Sequence, residues 1–191
     1  MRRLALALLA LAACDNHHET RVGAAVLPQC NQTTAAPRDV PTVVVTPGTT
    51  PPMPAGPVAL AIDVDVPWSQ ISELVRATPA PVLLVGRYDK TRAFQLEDEL
   101  APGPALRVRA SADGKFCVSP PGVDERYCLQ SSDKRHISAA FVREILNKAV
   151  AEYAIEQATL VVEPGVLWAD LVRTIDGTRT CCARPLKVAL R

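Results

Sequence analysis

The sequence predicts an α+β fold: a mixed sheet built from two strand–helix–strand units plus a β-hairpin and one long helix, with the helices on one face. Three observations predict it. Short apolar runs typical of strands alternate with amphipathic segments of helical period, one long segment carries a broad apolar stripe, and two tryptophan-centred stretches share one pattern. From Val58 onward about 130 residues remain, which is the usual size of one domain.

Composition excludes several classes of partner. The chain of 191 residues has a formal charge of +1, with arginines and acids interspersed. This balance gives no basic face for nucleic acid. Aromatic residues make up 4% of the chain, which argues against stacking platforms for bases or sugars.

The first thirteen residues have the features of a secretory signal peptide. Two arginines follow Met1, an apolar run extends from Leu4 to Leu11, and two alanines precede Cys14. A helix that spans a bilayer needs about 20 apolar residues, and this run ends well short of that at Asp15. The alternative of a membrane-spanning helix is therefore disfavoured.

The stretch around Cys14 resembles the lipobox of bacterial lipoproteins, in which cleavage exposes a cysteine that is then acylated. The resemblance implies a lipidated Cys14 and attachment to a membrane through the acyl chains, which hold a protein firmly when several are present. The expected location is the envelope of a Gram-negative bacterium, facing the periplasm, on the inner or the outer membrane.

Residues 14–57 are predicted to be the lipidated N-terminus and a linker. Eight prolines punctuate this Thr-, Ala- and Val-rich stretch, which shows no periodicity. If extended as polyproline II at about 3.1 Å per residue, roughly 40 residues reach on the order of 100 Å. The alternative is that the strand-like run Thr42 to Thr46 pairs with an edge of the domain.

The domain is predicted to span residues 58–191 and to begin with one strand–helix–strand unit. Its elements are a strand over Val58–Asp63, a helix over Trp68–Ala77 with one apolar face, and a buried strand over Pro81–Gly86. Ala105–Ala110 then alternates apolar residues with arginines, which indicates a half-exposed strand. Lys115–Ser119 and Arg126–Gln130 are predicted to form a hairpin around a proline-rich loop.

The longest helix is expected over His136–Gln157. Its apolar stripe is formed by Ile137, Phe141, Val142, Ile145, Leu146, Ala149 and Tyr153. A strand over Thr159–Glu163, a short helix over Leu167–Asp176 and a closing strand over Pro185–Leu190 complete the domain.

An internal repeat is predicted from the two tryptophans. The stretches around Trp68 and Trp168 both read as strand, acid, short turn, valine, aromatic residue and amphipathic helix. Each copy is a strand–helix–strand unit, and such a crossover usually returns to a parallel strand. The tryptophans are interpreted as core residues at the strand–helix corner. The alternative is that any two amphipathic strand–helix pairs look alike.

The acids that end the first strand of each unit admit two interpretations. Asp63, Asp65 and Glu163 suggest paired catalytic carboxylates, but a carboxylate before a helix also accepts backbone N–H bonds. No phosphate loop, nucleophile elbow or zinc-protease motif accompanies them. Helix capping is therefore preferred, and no catalytic residue, metal site or cofactor is predicted.

In an exported chain the cysteines meet an oxidising compartment. Cys117 and Cys128 flank the hairpin turn almost symmetrically, which predicts a cross-strand disulfide; two buried thiols are the alternative. Cys181 and Cys182 are adjacent and lie near arginines, so they form a candidate redox or soft-metal pair. With Cys14 acylated, at least one of the remaining cysteines is unpaired or bonded to another molecule.

The stretch from Arg107 to Gly114, through the long helix, to the segment Glu163–Trp168 and on to Asp176 resembles the periplasmic domain of the ExbD/TolR family. The resemblance covers roughly Ala105 to Leu190, and its motif positions here are Glu163, Val166, Trp168 and Asp176. Family members carry a membrane helix with an aspartate that takes part in proton flow, and neither is recognised here. Ala169 and the Cys181–Cys182 connection stand where the family commonly has glycine.

The resemblance implies the binding half of such a protein rather than an enzyme. The expected function is that of a lipid-anchored accessory module of an envelope energy-transduction or biopolymer transport system. Its partners would be ExbB/ExbD- or TolQ/TolR-like proteins or peptidoglycan. The alternatives are a redox or soft-metal protein that works through its cysteines, and a structural lipoprotein that assembles with itself, for instance as a homodimer.

Overall fold

The computed structural model describes residues 19–94, 100–131, 136–182 and 186–190. Within them the fold is α+β, as predicted. In chain order its elements are β1 (Thr20–Val22), β2 (Ala25–Leu27), β3 (Thr34–Ala35), β4 (Thr42–Val45), β5 (Ala59–Ile62), α1 (Trp68–Ala77), β6 (Val82–Arg87), β7 (Lys90–Phe94), β8 (Leu106–Ala110), β9 (Lys115–Ser119), β10 (Tyr127–Gln130), α2 (Ala139–Tyr153), β11 (Gln157–Val162), α3 (Trp168–Thr180) and β12 (Lys187–Leu190).

These strands form two five-stranded sheets rather than one. The first sheet has the order β3-β7-β6-β5-β4, and the second has the order β10-β9-β8-β11-β12. Both mix parallel and antiparallel pairs. Strands β1 and β2 form a separate antiparallel hairpin. Among the residues that the structure describes, no helix has the length and apolarity needed to span a bilayer.

The two predicted strand–helix–strand units are present. In the first unit β5 and β6 pair in parallel around α1, and in the second β11 and β12 pair in parallel around α3. Each helix begins at its tryptophan, and both tryptophans are buried in the same core, Trp68 at 3% exposure and Trp168 at 0%. Their interpretation as core residues is confirmed.

The expectation of a linker up to residue 57 is wrong for residues 19–57, because four short strands lie there. Strand β4 pairs in parallel with β5, which was the alternative interpretation of Thr42–Thr46. Strand β3 pairs with β7 at the other edge of the first sheet. These strands are two to four residues long, which is too short to show a detectable period.

The first sheet is covered on both faces. Leu60 and Ile62 point to the main core with the helices, whereas Ala59 and Ala61 point to a smaller cluster formed with the β1–β2 hairpin. All four residues of β5 are buried for this reason. The hairpin therefore completes the domain instead of leading to it.

The second sheet is covered by helices on one face only. Along β8 the residues Leu106, Val108 and Ala110 are buried, and the arginines between them are exposed, as the alternation predicts. Strand β9 has the predicted bounds, and β10 starts one residue later than expected.

Helix α2 is shorter than expected. It begins after Ser138 and ends at Ala154, whose left-handed φ of 52° stops the helix before β11. Its buried residues are Val142, Ile145, Leu146 and Ala149. Phe141 is 46% exposed, so its expected place in the apolar stripe is wrong. The predicted positions from Val142 to Ala149 do face the core.

Helix α3 lies at the centre of the molecule. Ten of its residues are buried, including Asp170 and Asp176, and it extends to Thr180 rather than to Asp176. Its Trp168 ring stacks on Phe94 of the first sheet at 6.3 Å. The α3 backbone also lies close to α2, since a Cβ atom at Gly177 would lie 2.7 Å from Cβ of Val142.

We expect Gly177→Ala to lower the free energy of unfolding by about 1–2 kcal/mol. Overpacking costs about 1–3 kcal/mol, which outweighs the gain of up to about 1 kcal/mol from the higher helix propensity of alanine. Urea unfolding followed by circular dichroism measures the difference. Gly56→Ala is the control, because nothing lies within 4 Å of the place that its methyl group would take, and it should change stability by less than about 1 kcal/mol. Equal stability of the two variants would contradict the expected close packing of α2 and α3.

Candidate functional site

The two units meet through the turns that precede their helices. Pro67 and Leu167 form an antiparallel bridge, and the backbone bonds around them are nearly symmetric. The N–H of Trp68 donates to the carbonyl of Val166 at 2.7 Å, and the N–H of Trp168 donates to the carbonyl of Val66 at 2.8 Å. The equivalent turns of the repeat are thus joined as in a two-stranded ribbon.

A cleft of about 630 Å³ lies beside this junction, within the usual size range of ligand sites. One wall is the segment from Val26 to Asn31, which starts in β2 and continues beyond the β1–β2 hairpin. The opposite wall comes from the second unit and includes Leu167, Ala169 and Arg173. The rim is completed by Asp65 and by the turn between β6 and β7.

Three side chains at the rim are available to a ligand. The Arg87 guanidinium lies 5.8 Å from the centre of the Tyr88 ring, and it forms no ion pair within the described parts of the chain. Tyr88 is 73% exposed and has a left-handed φ of 57° in a two-residue turn. The exposed Asp65 carboxylate likewise has no partner among the described residues, so charges of both signs face the cleft.

Other polar groups of the cleft are held by the protein itself. Asp170 of α3 is buried, accepts the backbone N–H of Ile137 at 3.0 Å and binds Arg173 at 2.7 Å. Its second oxygen lies 3.5 Å from Nδ1 of His136. These contacts fix the start of α2 against α3 and position the basic side chains along the wall.

Asp176 has a different role, as an anchor for the segment after β2. Its Oδ1 accepts the backbone N–H of Asn31 at 2.9 Å and that of Gln32 at 3.1 Å, and its Oδ2 accepts Nδ2 of Asn31 at 2.7 Å. Cys30 lies beside it, with Sγ 3.5 Å from Oδ1. Asp176 thus holds the wall of the cleft in place.

The prediction that Asp63, Asp65 and Glu163 cap the helices that follow them is wrong, because neither α1 nor α3 has a side-chain cap. Asp63 is buried and accepts the N–H of Val26 at 2.8 Å and that of Asp65 at 3.1 Å, whereas helix α1 has no side-chain cap. The N-cap position is Pro67, four residues after Asp63, and its side chain has no hydrogen-bonding group. Asp63 therefore ties the β1–β2 hairpin to the first unit.

Glu163, the matching acid of the second unit, lies on the exposed side of the second sheet. It binds Arg109 at 3.0 Å and accepts the N–H of Ala112 at 3.2 Å. Partial burial raises its pKa, but these hydrogen bonds outweigh that effect and leave the pKa below its ordinary value. Arg109 also pairs with Glu125 in the β9–β10 loop. Val166, which precedes the second tryptophan helix, is a core residue with 2% exposure.

The structure joins Cys117 to Cys128 as a disulfide. The two residues face each other directly in the β9–β10 pair, with Cα atoms 4.1 Å apart. Cys181 and Cys182 form a second disulfide at the end of α3, and Cys182 is half-buried. Cys30 is the free cysteine of the described residues, and burial together with Asp176 raises the pKa of its thiol to about 12.

One group of metal-ligand types occurs in the described ranges, formed by Cys117, Glu125 and Cys128. Their ligand atoms lie within 4.8 Å of one another. In the disulfide form both sulfurs are bonded to each other, so the group offers no thiolate to a metal. A hydrogen bond and charge from Lys115 lower the pKa of Glu125, which keeps this carboxylate ionised and occupied.

The predicted site residues are therefore not brought together. Cys14 and the signal peptide lie outside the described residues, and the two disulfides and Glu163 do not line the cleft. Sequence reasoning missed Arg87, Tyr88 and Asn31. Arg87 ends strand β6 and Tyr88 begins a two-residue turn, Tyr88–Asp89, that contains neither glycine nor asparagine, and Asn31 lies in the stretch assigned to the linker.

The chain matches no protein-family model, and no curated protein and no solved structure is significantly similar to it.

We expect Asp176→Ala to lower the free energy of unfolding by about 2–4 kcal/mol, because several hydrogen bonds to a buried carboxylate are lost. Hydrogen–deuterium exchange should rise in residues 28–36, while helix α2 stays protected. Asp65→Ala is the control, since its exposed carboxylate has no partner in the described chain, and it should cost less than about 0.5 kcal/mol. Unchanged exchange in residues 28–36 would rule out the anchoring role.

Thiol counting tests the cysteine pairing. In a Cys14→Ser chain, a thiol reagent at pH 8 should find no reactive thiol in the folded protein and one after denaturation, since Cys30 is buried with a pKa of about 12. Cys30→Ser should remove that signal. Three thiols after denaturation would show that one of the two disulfides does not form.

Proposed function

We propose that the protein is a lipid-anchored binding module of the bacterial envelope that docks a partner at the cleft beside the junction of its two units. The proposal assigns it an accessory role in an ExbB/ExbD- or TolQ/TolR-like system, or attachment to peptidoglycan. The N-terminal pattern that ends at Cys14 and the resemblance of residues 105–190 to the ExbD/TolR family support it.

The cleft carries the proposal. Its volume of about 630 Å³ suits a short peptide segment or a cell-wall fragment. The exposed Asp65 presents a negative charge there without an ion-pair partner in the described residues, so a basic group of a partner can pair with it. Charges at a rim contribute mainly to the choice of partner and to the rate of association.

Binding fits this site better than catalysis does. The basic groups of the inner wall, His136 and Arg173, lie against the buried Asp170, which orients them. The buried acids Asp63 and Asp176 accept backbone N–H groups and so maintain the shape of the cleft. The buried acids Asp63, Asp170 and Asp176 thus maintain the shape of the cleft, whereas the exposed Asp65 is left for a partner.

The Cys181–Cys182 disulfide favours a second candidate, a redox or soft-metal protein. Its adjacent thiols, once reduced by a dithiol reductant, could bind a thiophilic ion together. Metal analysis of the reduced chain distinguishes the candidates. Stoichiometric metal that is lost in a Cys181→Ser, Cys182→Ser chain favours the second, whereas equal metal content in both chains excludes it.

Purification of the lipidated full chain from detergent-solubilised membranes tests the docking proposal. We expect a channel protein of the ExbB/TolQ type or peptidoglycan fragments to be enriched over an unrelated lipid-anchored protein. Asp65→Lys should reduce this recovery by about tenfold, because it reverses a charge at the rim. Glu73→Lys is the matched control, since Glu73 is exposed on α1 and does not line the cleft, and it should leave recovery unchanged. No enrichment, or an equal effect of the two variants, would overturn the proposal.

Sedimentation of the Cys14→Ser chain alone would reveal self-assembly.

A further inference from the structure

The described part of the chain begins at the rim of the cleft. Glu19, the first described residue, lines the cleft. The hydroxyl of Thr20 then donates to the carbonyl of Tyr88 at 3.3 Å. The start of the domain is thus in direct contact with the turn between β6 and β7.

This entry point limits the distance between the cleft and Cys14. Glu19 comes five positions after Cys14, and a chain extends by at most about 3.3–3.6 Å per residue, so the two residues lie within about 18 Å of each other. This step rests on the acylated Cys14 of the proposed function. The cleft and the turn at Tyr88 must then lie close to the bilayer, rather than on a tether of about 100 Å.

The turn has the chemistry of a membrane interface. Tyr88 presents an apolar ring with a polar tip, a combination that sits well at the headgroup level. Arg87 stacks on this ring and forms no ion pair in the described chain, which leaves its guanidinium free for a phosphate. Lys90 is exposed on the same turn.

The backbone of the turn supports an outward role for Tyr88. A left-handed φ in a residue other than glycine costs about 1–2 kcal/mol, and here it holds an aromatic ring in solvent. This conformational free energy is not offset by burial of the ring within the protein, because Tyr88 is 73% exposed. Contact with a lipid surface would bury this ring.

Acidic residues nearby determine which property of the membrane is recognised. Asp89 shares the turn, and Glu19 pairs with Arg21 at 2.7 Å, so the local charge is nearly balanced. A balanced surface gains little from the negative potential of anionic lipids, which acts on basic clusters. The phosphate group common to all phospholipids is the better match for the single free guanidinium.

We infer that the β6–β7 turn, through Tyr88 and Arg87, rests on the phospholipid headgroups and holds the mouth of the cleft at the membrane surface. A partner of the cleft would then be met at this surface, which suits a membrane-embedded channel better than distant cell wall.

The test uses the acylated full chain in phosphatidylcholine vesicles with and without brominated lipid. Tyr88→Trp introduces an exposed tryptophan, and the parent chain supplies the baseline, since Trp68 and Trp168 are buried. We expect the emission of the new tryptophan to shift to shorter wavelength and to lose at least about half its intensity to bromine. Addition of phosphatidylglycerol should change this little.

The matched control is Leu129→Trp on the edge strand β10, at a residue that is 38% exposed. It should show no bromine quenching. Quenching of both variants, or of neither, would overturn the inference while leaving partner recovery by the Asp65→Lys test intact. Mass spectrometry of the same preparation identifies the anchor, and an unacylated Cys14 would overturn this inference together with the anchor of the proposed function.

Discussion

The burial of helix α3 is the constraint on which the rest of the molecule depends. A helix enclosed on nearly all sides can carry carboxylates only where hydrogen bonds replace water. Asp170 accepts the backbone N–H of Ile137, just before α2, and Asp176 accepts the backbone N–H of Asn31, after β2. Two segments distant in sequence are thus fixed to one helix. The hydroxyls of Thr174 and Thr178 are satisfied by carbonyls one turn earlier in the same helix.

The repeat supplies the frame around this helix. Because the turns before α1 and α3 exchange backbone bonds almost symmetrically, each unit satisfies polar groups of the other at the point where its helix begins. Outside these turns the two units have different neighbours. The β1–β2 hairpin adjoins the first unit, whereas α2 and a further hairpin adjoin the second, and the cleft lies where these unequal additions meet.

Local sequence patterns predicted most of the helices and strands, but they did not predict how these elements assemble into two sheets and a cleft. Helix α1 and strand β9 have the predicted bounds, because apolar spacing and neighbouring turns mark them. The strands before residue 57 are too short for any period. A signal was nevertheless present in β5, whose four consecutive apolar residues need cover on two faces, while the predicted helices cover one. The cleft was not predictable, since Asn31, Asp65, Arg87 and Arg173 come from four separate segments and no local spacing relates them.

The alanine face of the first sheet has a consequence for how the chain can be divided. Ala59 and Ala61 meet Ala25 and Leu27 across a thin, closely fitted layer. A fragment that starts at Val58 would leave this layer bare, and it would also strip both edges of the sheet of their neighbours β3 and β4. Unpaired edges next to an uncovered apolar surface invite pairing between molecules. Residues 19–57 thus cover an apolar face and both edges of the first sheet. Their removal would yield aggregates rather than a smaller folded domain.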